Sequence, residues 1–149
     1  MKIIDYFECE NKDFWLSKIA ESDWGAGEYL YYLLKSGELK KLVGCGTRVL
    51  MLTEGEELCA FCTLADMDDI QPTELTPWVG FLYTFPNCRG KHLAGELLAH
   101  AETLAKLDGK DAVYISTNHE GLYEKYGYEF FATMKDIEGE DSRVYIKRL

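Results

Sequence analysis

The stretch that most constrains this chain is Trp78 to Ala101, WVGFLYTFPNCRGKHLAGELLAHA. It opens on Trp78–Tyr83, a short apolar run rich in residues that favour strands. Phe85-Pro86-Asn87 breaks the run, and Arg89-Gly90-Lys91 leads straight into a helical pattern. Leu93, Leu97, Leu98, Ala101, Leu104 and Ala105 recur at the spacing of one helix face. The unit reads as strand, tight basic turn, helix. Such a unit aims backbone N–H groups and the positive end of a helix dipole at one spot, where Arg89 and Lys91 add full charges. A phosphate-bearing ligand suits that spot; the plainer reading leaves both side chains as solvated loop residues.

The rest of the chain reads in order around this unit. Lys2–Phe7 suits a first strand and Asn11–Ser22 a helix, which Gly25 and Gly27 break. Glu28–Lys35 is a second helix with an aromatic cluster of Tyr29, Tyr31 and Tyr32, which serves packing or lines a groove. Arg48–Thr53 and Leu58–Leu64 form a hairpin across Glu54-Gly55-Glu56-Glu57. The loop Ala65–Pro77 carries Asp66, Asp68, Asp69 and Glu74. After the central helix come a strand at Ala112–Thr117, a short helix at Leu122–Tyr126, and closing strands at Tyr128–Met134 and Arg143–Lys147. Strand, helix, strand around Trp78–Thr117 implies a parallel pair with a right-handed crossover.

Composition narrows the function classes. A net charge of −10 speaks against nucleic acid as a partner, because phosphate backbones need clustered positive charge. No apolar run approaches the length of a membrane span and no signal peptide opens the chain, so a cytoplasmic protein with no membrane partner is expected. The 149 residues suit one domain, 1–149. Five cysteines, an odd number at irregular spacing, argue against a disulfide framework. Cys59 and Cys62 form a CxxC within a strand, where an offset of three puts the thiols on opposite faces; neither they nor any other cluster suggests a metal.

Two motifs carry a resemblance. Pro86-x-x-Arg89-Gly90-Lys91-x-Leu93-Ala94 resembles the pyrophosphate loop of the GNAT superfamily of acyl-CoA-dependent N-acetyltransferases, Gln/Arg-x-x-Gly-x-Gly/Ala after a strand. Arg89 matches the first position and Ala94 the last, while His92 replaces the middle glycine, which would let the backbone approach a phosphate with no Cβ in the way. Leu122-Tyr123-Glu124-Lys125-Tyr126-Gly127-Tyr128 is similar to the family's Phe/Leu-Tyr-x-Lys-x-Gly-Phe signature. The order β-α-α-β-β-β-α-β-α-β-β also matches the family's.

The resemblance implies an α/β (α+β) fold: a mixed, mostly antiparallel central sheet with splayed parallel strands, flanked by helices. It implies acetyl-CoA as co-substrate and the primary amine of a small molecule as acceptor, attacking directly; the acids between Asp66 and Glu74 would form a rim that favours a cationic amine such as a polyamine or aminoglycoside, while the plainer reading leaves that loop solvated and far from the acetyl group. By resemblance, Leu82, Tyr83 and Thr84 meet the pantetheine arm with their backbone, and Arg89, Gly90, Lys91, His92, Leu93 and Ala94 hold the pyrophosphate. Asn118 matches a pantetheine contact at a spacing about two residues short. Tyr123 matches the family's general acid, which protonates the departing thiolate; packing against the cofactor is its other role. His119 is a second catalytic candidate. A general base is not singled out among Asp66, Asp68, Asp69, Glu28 and His119, and Asp66, Asp68 and Asp69 are candidate substrate contacts. A homodimer is compatible with this reading. The reading from a different class is a non-catalytic acyl-CoA-binding or sensing domain on the same fold.

Overall fold

The computed structural model describes residues 1–149. Its centre is a seven-stranded sheet. The strands are β1 (Lys2–Asp5), β2 (Arg48–Glu54), β3 (Glu57–Ala65), β4 (Trp78–Thr84), β5 (Ala112–Ser116), β6 (Glu129–Lys135) and β7 (Asp141–Arg148). Their order in the sheet is β1-β2-β3-β4-β5-β7-β6. Every neighbouring pair is antiparallel except β4 and β5, which are parallel. The long helix α4 (Leu93–Leu107) makes the connection between those two. Helices α1 (Lys12–Ile19), α2 (Gly25–Ser36) and α3 (Leu39–Val43) precede β2. This is the mixed, mostly antiparallel sheet that the motif resemblance implies.

Two apolar layers sandwich the sheet. On one face, the α4 stripe of Leu93, Leu97, Leu98, Ala101 and Ala105 buries itself against Leu50, Leu64, Val79, Val113 and Ile115. On the other, Trp15, Ile19, Leu30, Leu33, Leu34 and Leu39 from α1–α3 cover Val49, Met51, Leu58 and Phe61. Each helix thus hides one stripe and leaves the polar one to solvent. None of the helices is long and apolar enough to cross a membrane.

Local rules account for most boundaries. Gly37, in the left-handed region at φ 74°, closes α2, and its N–H bonds back to Leu33 O and Leu34 O. The start of α2 differs from the sequence expectation: the helix begins at Gly25 and runs through Gly27 instead of starting at Glu28. A Cβ at Gly27 would collide with Ser22 Oγ, so the glycine admits the loop that precedes α2 and does not end a helix. Helix α3, a single short turn closed by Gly44, is too short to leave a periodic signature.

The cysteine expectation also needs correction. Cys59 and Cys62 both belong to the layer under α4 and do not point to opposite faces. The register shifts by one residue opposite Leu52/Thr53, and this bulge at Cys59 resets the alternation of β3. All five cysteines are free.

Candidate active site

The site originates in a break of the sheet. Strands β4 and β5 pair only through Trp78↔Tyr114 and Val79↔Ile115. Beyond Val79 they splay. On its other edge, β4 bulges against β3: Phe61 faces Tyr83 and Thr63 faces Gly80, so Phe81 and Leu82 together oppose Cys62. Phe81 takes a positive φ of 51°, unusual for a bulky residue, and the strand turns there. The sequence offers no signal for that bulge beyond Gly80.

A cleft of about 610 Å³ fills the gap. One wall is β4 from Val79 to Thr84; the other is Ile115–Thr117, His119, Leu122 and Tyr123. Arg89 and Ala94 lie at one end, with Trp24 and Asp68 also contributing to the lining. Of the residues expected at a cofactor site, Leu82, Tyr83, Thr84, Arg89, Ala94, His119 and Tyr123 line this cleft. Asn118 is not among the lining residues; its Oδ1 accepts a hydrogen bond from Arg143 N at 3.4 Å.

The turn before α4 has the features of an anion site. The backbone N–H groups of residues 90–95 donate no hydrogen bond within the protein. They stand at the positive end of a 15-residue helix. Gly90 and His92 both sit in the left-handed region, at φ 81° and 60°. His92 therefore reproduces the backbone shape that a glycine would adopt, at a steric cost that a glycine avoids. Arg89 lies with its guanidinium 5.7 Å from the centre of the Tyr83 ring, and its Nε donates to Thr84 O at 2.9 Å. Lys91 is exposed beside it.

The second motif docks on the first. Tyr123–Tyr126 forms a 3-10 turn that Gly127 closes at φ 92°. Tyr126 Cε1 lies 2.7 Å from where a Cβ on Gly95 would stand, so the glycine in the first turn of α4 admits the tyrosine. This contact seats Tyr123 in the cleft, where it is 8% exposed and packs edge-on against Tyr128 with ring centres 6.2 Å apart. Burial, with Cys62 and Asp68 nearby, pushes the Tyr123 phenol up to about 12, so it holds its proton at neutral pH.

The acidic loop after β3 is anchored. Gln71 Nε2 donates to Leu42 O and to Asp68 O, at 3.3 and 2.7 Å. Met67 N bonds Val43 O, and Asp69 O accepts from Ile137 N in the β6–β7 turn. The acids divide. Asp66 turns away and accepts from Gly46 N at 3.0 Å. Asp68 points into the sheet break, into the space that Gly80 leaves empty: a Cβ on Gly80 would collide with Asp68 Oδ1. Burial, then the neighbouring Asp69 carboxylate, raises Asp68 to about 7. Asp69 Oδ1 is closed to solvent and meets no donor from elsewhere in the protein.

A second cavity, of about 270 Å³, adjoins the cleft. Trp24, Asp68 and Phe81 border both. Trp24 stacks on Tyr83, with ring centres 5.5 Å apart and planes 11° from parallel. Of the tyrosine cluster on α2, Tyr29 lines this cavity while Tyr32 projects into solvent. Apart from Tyr29 and the two acids, the sequence reading identified none of this lining. Trp24, Phe81, Leu42 and Ile137 come from four separate elements and share no spacing.

Glu57, Cys59 and Cys88, beside the turn that leads to α4, bring three potential ligand atoms within 4.8 Å of one another. Burial, together with Cys59 and Glu57, pushes the Cys88 thiol up to about 12. It donates to Glu57 Oε1 at 3.2 Å, bracing the turn as a neutral group.

The sequence model of the acetyltransferase (GNAT) family matches residues 5–128. No curated protein matches. Among solved structures, an acetyltransferase from Streptococcus agalactiae has a TM-score of 0.69 at 18% identity, covering 99% of this chain and 98% of that one. An aminoglycoside 6′-acetyltransferase type Ii has a TM-score of 0.71 at 16% identity, covering 99% and 97%. A GNAT family acetyltransferase from Elizabethkingia anophelis, with acetyl-CoA bound, has a TM-score of 0.67 at 15% identity, again covering 99% and 97%.

Proposed function

Because this chain belongs to the acetyltransferase (GNAT) family, we propose that it transfers the acetyl group of acetyl-CoA to the primary amine of a small molecule in the β4–β5 cleft. The observation that carries the reading is one cleft holding three things: unpaired amides beside Arg89, a protonated Tyr123, and a carboxylate at Asp68. Structural neighbours that bind acetyl-CoA or acetylate aminoglycosides support the same co-substrate and acceptor type.

Acetyl-CoA lies with its pyrophosphate over residues 89–94 and its pantetheine arm along β4, whose edge is free of β5 beyond Val79. The thioester then reaches Phe81, Tyr123 and Asp68. An amine arrives as an ammonium ion. Asp68, with an affinity for protons near neutrality, takes one proton and frees the nitrogen lone pair. The nitrogen attacks the acetyl carbonyl carbon and the C–S bond breaks. Tyr123 donates its proton to the departing sulfur, and the nitrogen loses its second proton to restore the phenol. One proton is released per amide formed. His119, on the same wall, is an alternative relay for that last proton.

Isothermal calorimetry with acetyl-CoA tests the cofactor half. Arg89→Glu places a negative charge beside the diphosphate and is expected to abolish measurable binding. Unchanged affinity in that variant would remove the pyrophosphate from this turn.

A further inference from the structure

The cavity beside the cleft defines what the acceptor looks like. We propose that it takes a primary monoamine borne on a compact apolar body, of aralkylamine or branched alkylamine size, with the ammonium at the Asp68–Asp69 pair and the body against Trp24, Tyr29, Phe81 and Ile137. This rests on the acetyl-transfer reading and narrows its acceptor class.

Position comes first. Trp24, Asp68 and Phe81 border both spaces, so a ligand in the smaller cavity presents its head where the thioester of the larger one arrives. The walls come next. The lining is mainly apolar, and Asp68 and Asp69 are its charged groups. Trp24, Tyr29 and Ile137 are 36, 49 and 56% exposed at its mouth, an apolar rim that solvent contacts until something covers it. Tyr29 and Phe81 face each other with ring centres 6.3 Å apart.

Charge sets the number of cations. Burial, with Asp69 beside it, raises Asp68 to about 7, so near neutrality the pair carries less than two full negative charges. One ammonium, against the sides of Asp68 and Asp69 that line the cavity, matches it. A second ammonium held inside the cavity would be stripped of water against Leu42 and Val43, with nothing to pair it. An aminoglycoside would likewise leave its hydroxyls facing apolar walls. At about 270 Å³ the space fits one ring or a branched chain. The acidic loop is therefore not a rim for polycations: Asp66 is engaged by Gly46 N, and only Asp68 and Asp69 face the ligand.

The test is a competition of acceptors at saturating acetyl-CoA, following thiol release. 2-Phenylethylamine and isoamylamine are expected to exceed spermidine and kanamycin in kcat/KM by roughly 10²-fold or more, the discrimination open to a site that leaves a charge unpaired. Ile137→Asp adds an acid at the exposed mouth. It is expected to raise KM for 2-phenylethylamine roughly tenfold, lower it for spermidine, and leave KM for acetyl-CoA alone. Tyr29→Ala, also at an exposed position, is expected to weaken the apolar amines only. Spermidine or kanamycin as best acceptor would overturn the inference while leaving acetyl transfer standing. If no amine releases thiol, acetyl transfer fails and calorimetry on the CoA-bound protein decides the cavity. Binding of 2-phenylethylamine that Tyr29→Ala weakens would uphold it, and heat from spermidine alone would overturn it.

Discussion

Replacing Asp68 with Asn keeps the size and hydrogen-bonding shape of the side chain and removes its capacity to take a proton. In the parent, Asp68 binds its proton up to about pH 7, because burial and Asp69 disfavour the ionised form. The kcat/KM for the amine should therefore rise with pH through an inflection near neutrality. Asp68→Asn should lose that inflection and fall by roughly 10²- to 10⁴-fold, the usual worth of a positioned base. The same shift has a consequence for folding. The folded chain holds a proton that the unfolded chain releases near the ordinary carboxylate value. The contribution of this one group to stability is then fully present below about pH 4 and is lost as pH rises from about 4 to about 7. A full shift of this size is worth about 4 kcal/mol; Asp68 is only half-buried by its accessible surface, so a gain of about 1–2 kcal/mol in the Asn variant at pH 8 is the realistic figure. Stopped-time thiol assays across pH 5–9 and urea melts at pH 5 and 8 measure both effects. A variant that keeps the inflection and the turnover would remove Asp68 from the chemistry.

Three further outcomes are expected. Tyr123→Phe keeps the ring and should lower turnover by roughly 10²-fold with acetyl-CoA affinity unchanged; full turnover would reduce Tyr123 to packing. His92→Gly relieves a left-handed residue and should stabilise the fold by up to about 1 kcal/mol, with acetyl-CoA bound equally well or tighter; a tenfold loss of affinity would make the imidazole itself a ligand. Gly80→Ala drives a methyl group into Asp68 Oδ1 and should cost roughly 10²-fold in turnover with little change in cofactor affinity; normal kinetics would show that Asp68 is free to move.

The parts of the cleft that are local in sequence are the ones the sequence brings out. Arg89 to Ala94 lie on one turn before one helix, and Tyr123 lies on one short segment after one strand, so fixed spacing exposes both. The β2–β3 hairpin and the parallel β4–β5 pair follow from the same logic, since periodicity marks each strand and a helical crossover makes the strands it joins parallel; the insertion of β7 between β5 and β6 has no such local signal. The losses have physical causes. The bulge at Cys59 shifts the register of β3 by one residue, which no alternation pattern reveals, and so regular alternation puts the CxxC on two faces when it occupies one. Gly25 and Gly27 read as helix breakers because propensity favours that, yet packing against Ser22 puts a glycine inside the helix. Asp68 could not be told from Asp66 by spacing. Only the tertiary structure distinguishes the acid that fills the space over Gly80 from the acid that caps Gly46.

The most direct test of acetyl transfer is a stoichiometric one: incubation with acetyl-CoA and 2-phenylethylamine, with free CoA counted by thiol reagent and the amide by mass spectrometry. The expected result is one N-acetyl amide for each CoA released, dependent on both protein and amine. Tight binding of acetyl-CoA with no amide from any primary amine would contradict it, and would make this chain a non-catalytic acyl-CoA-binding module on the same fold.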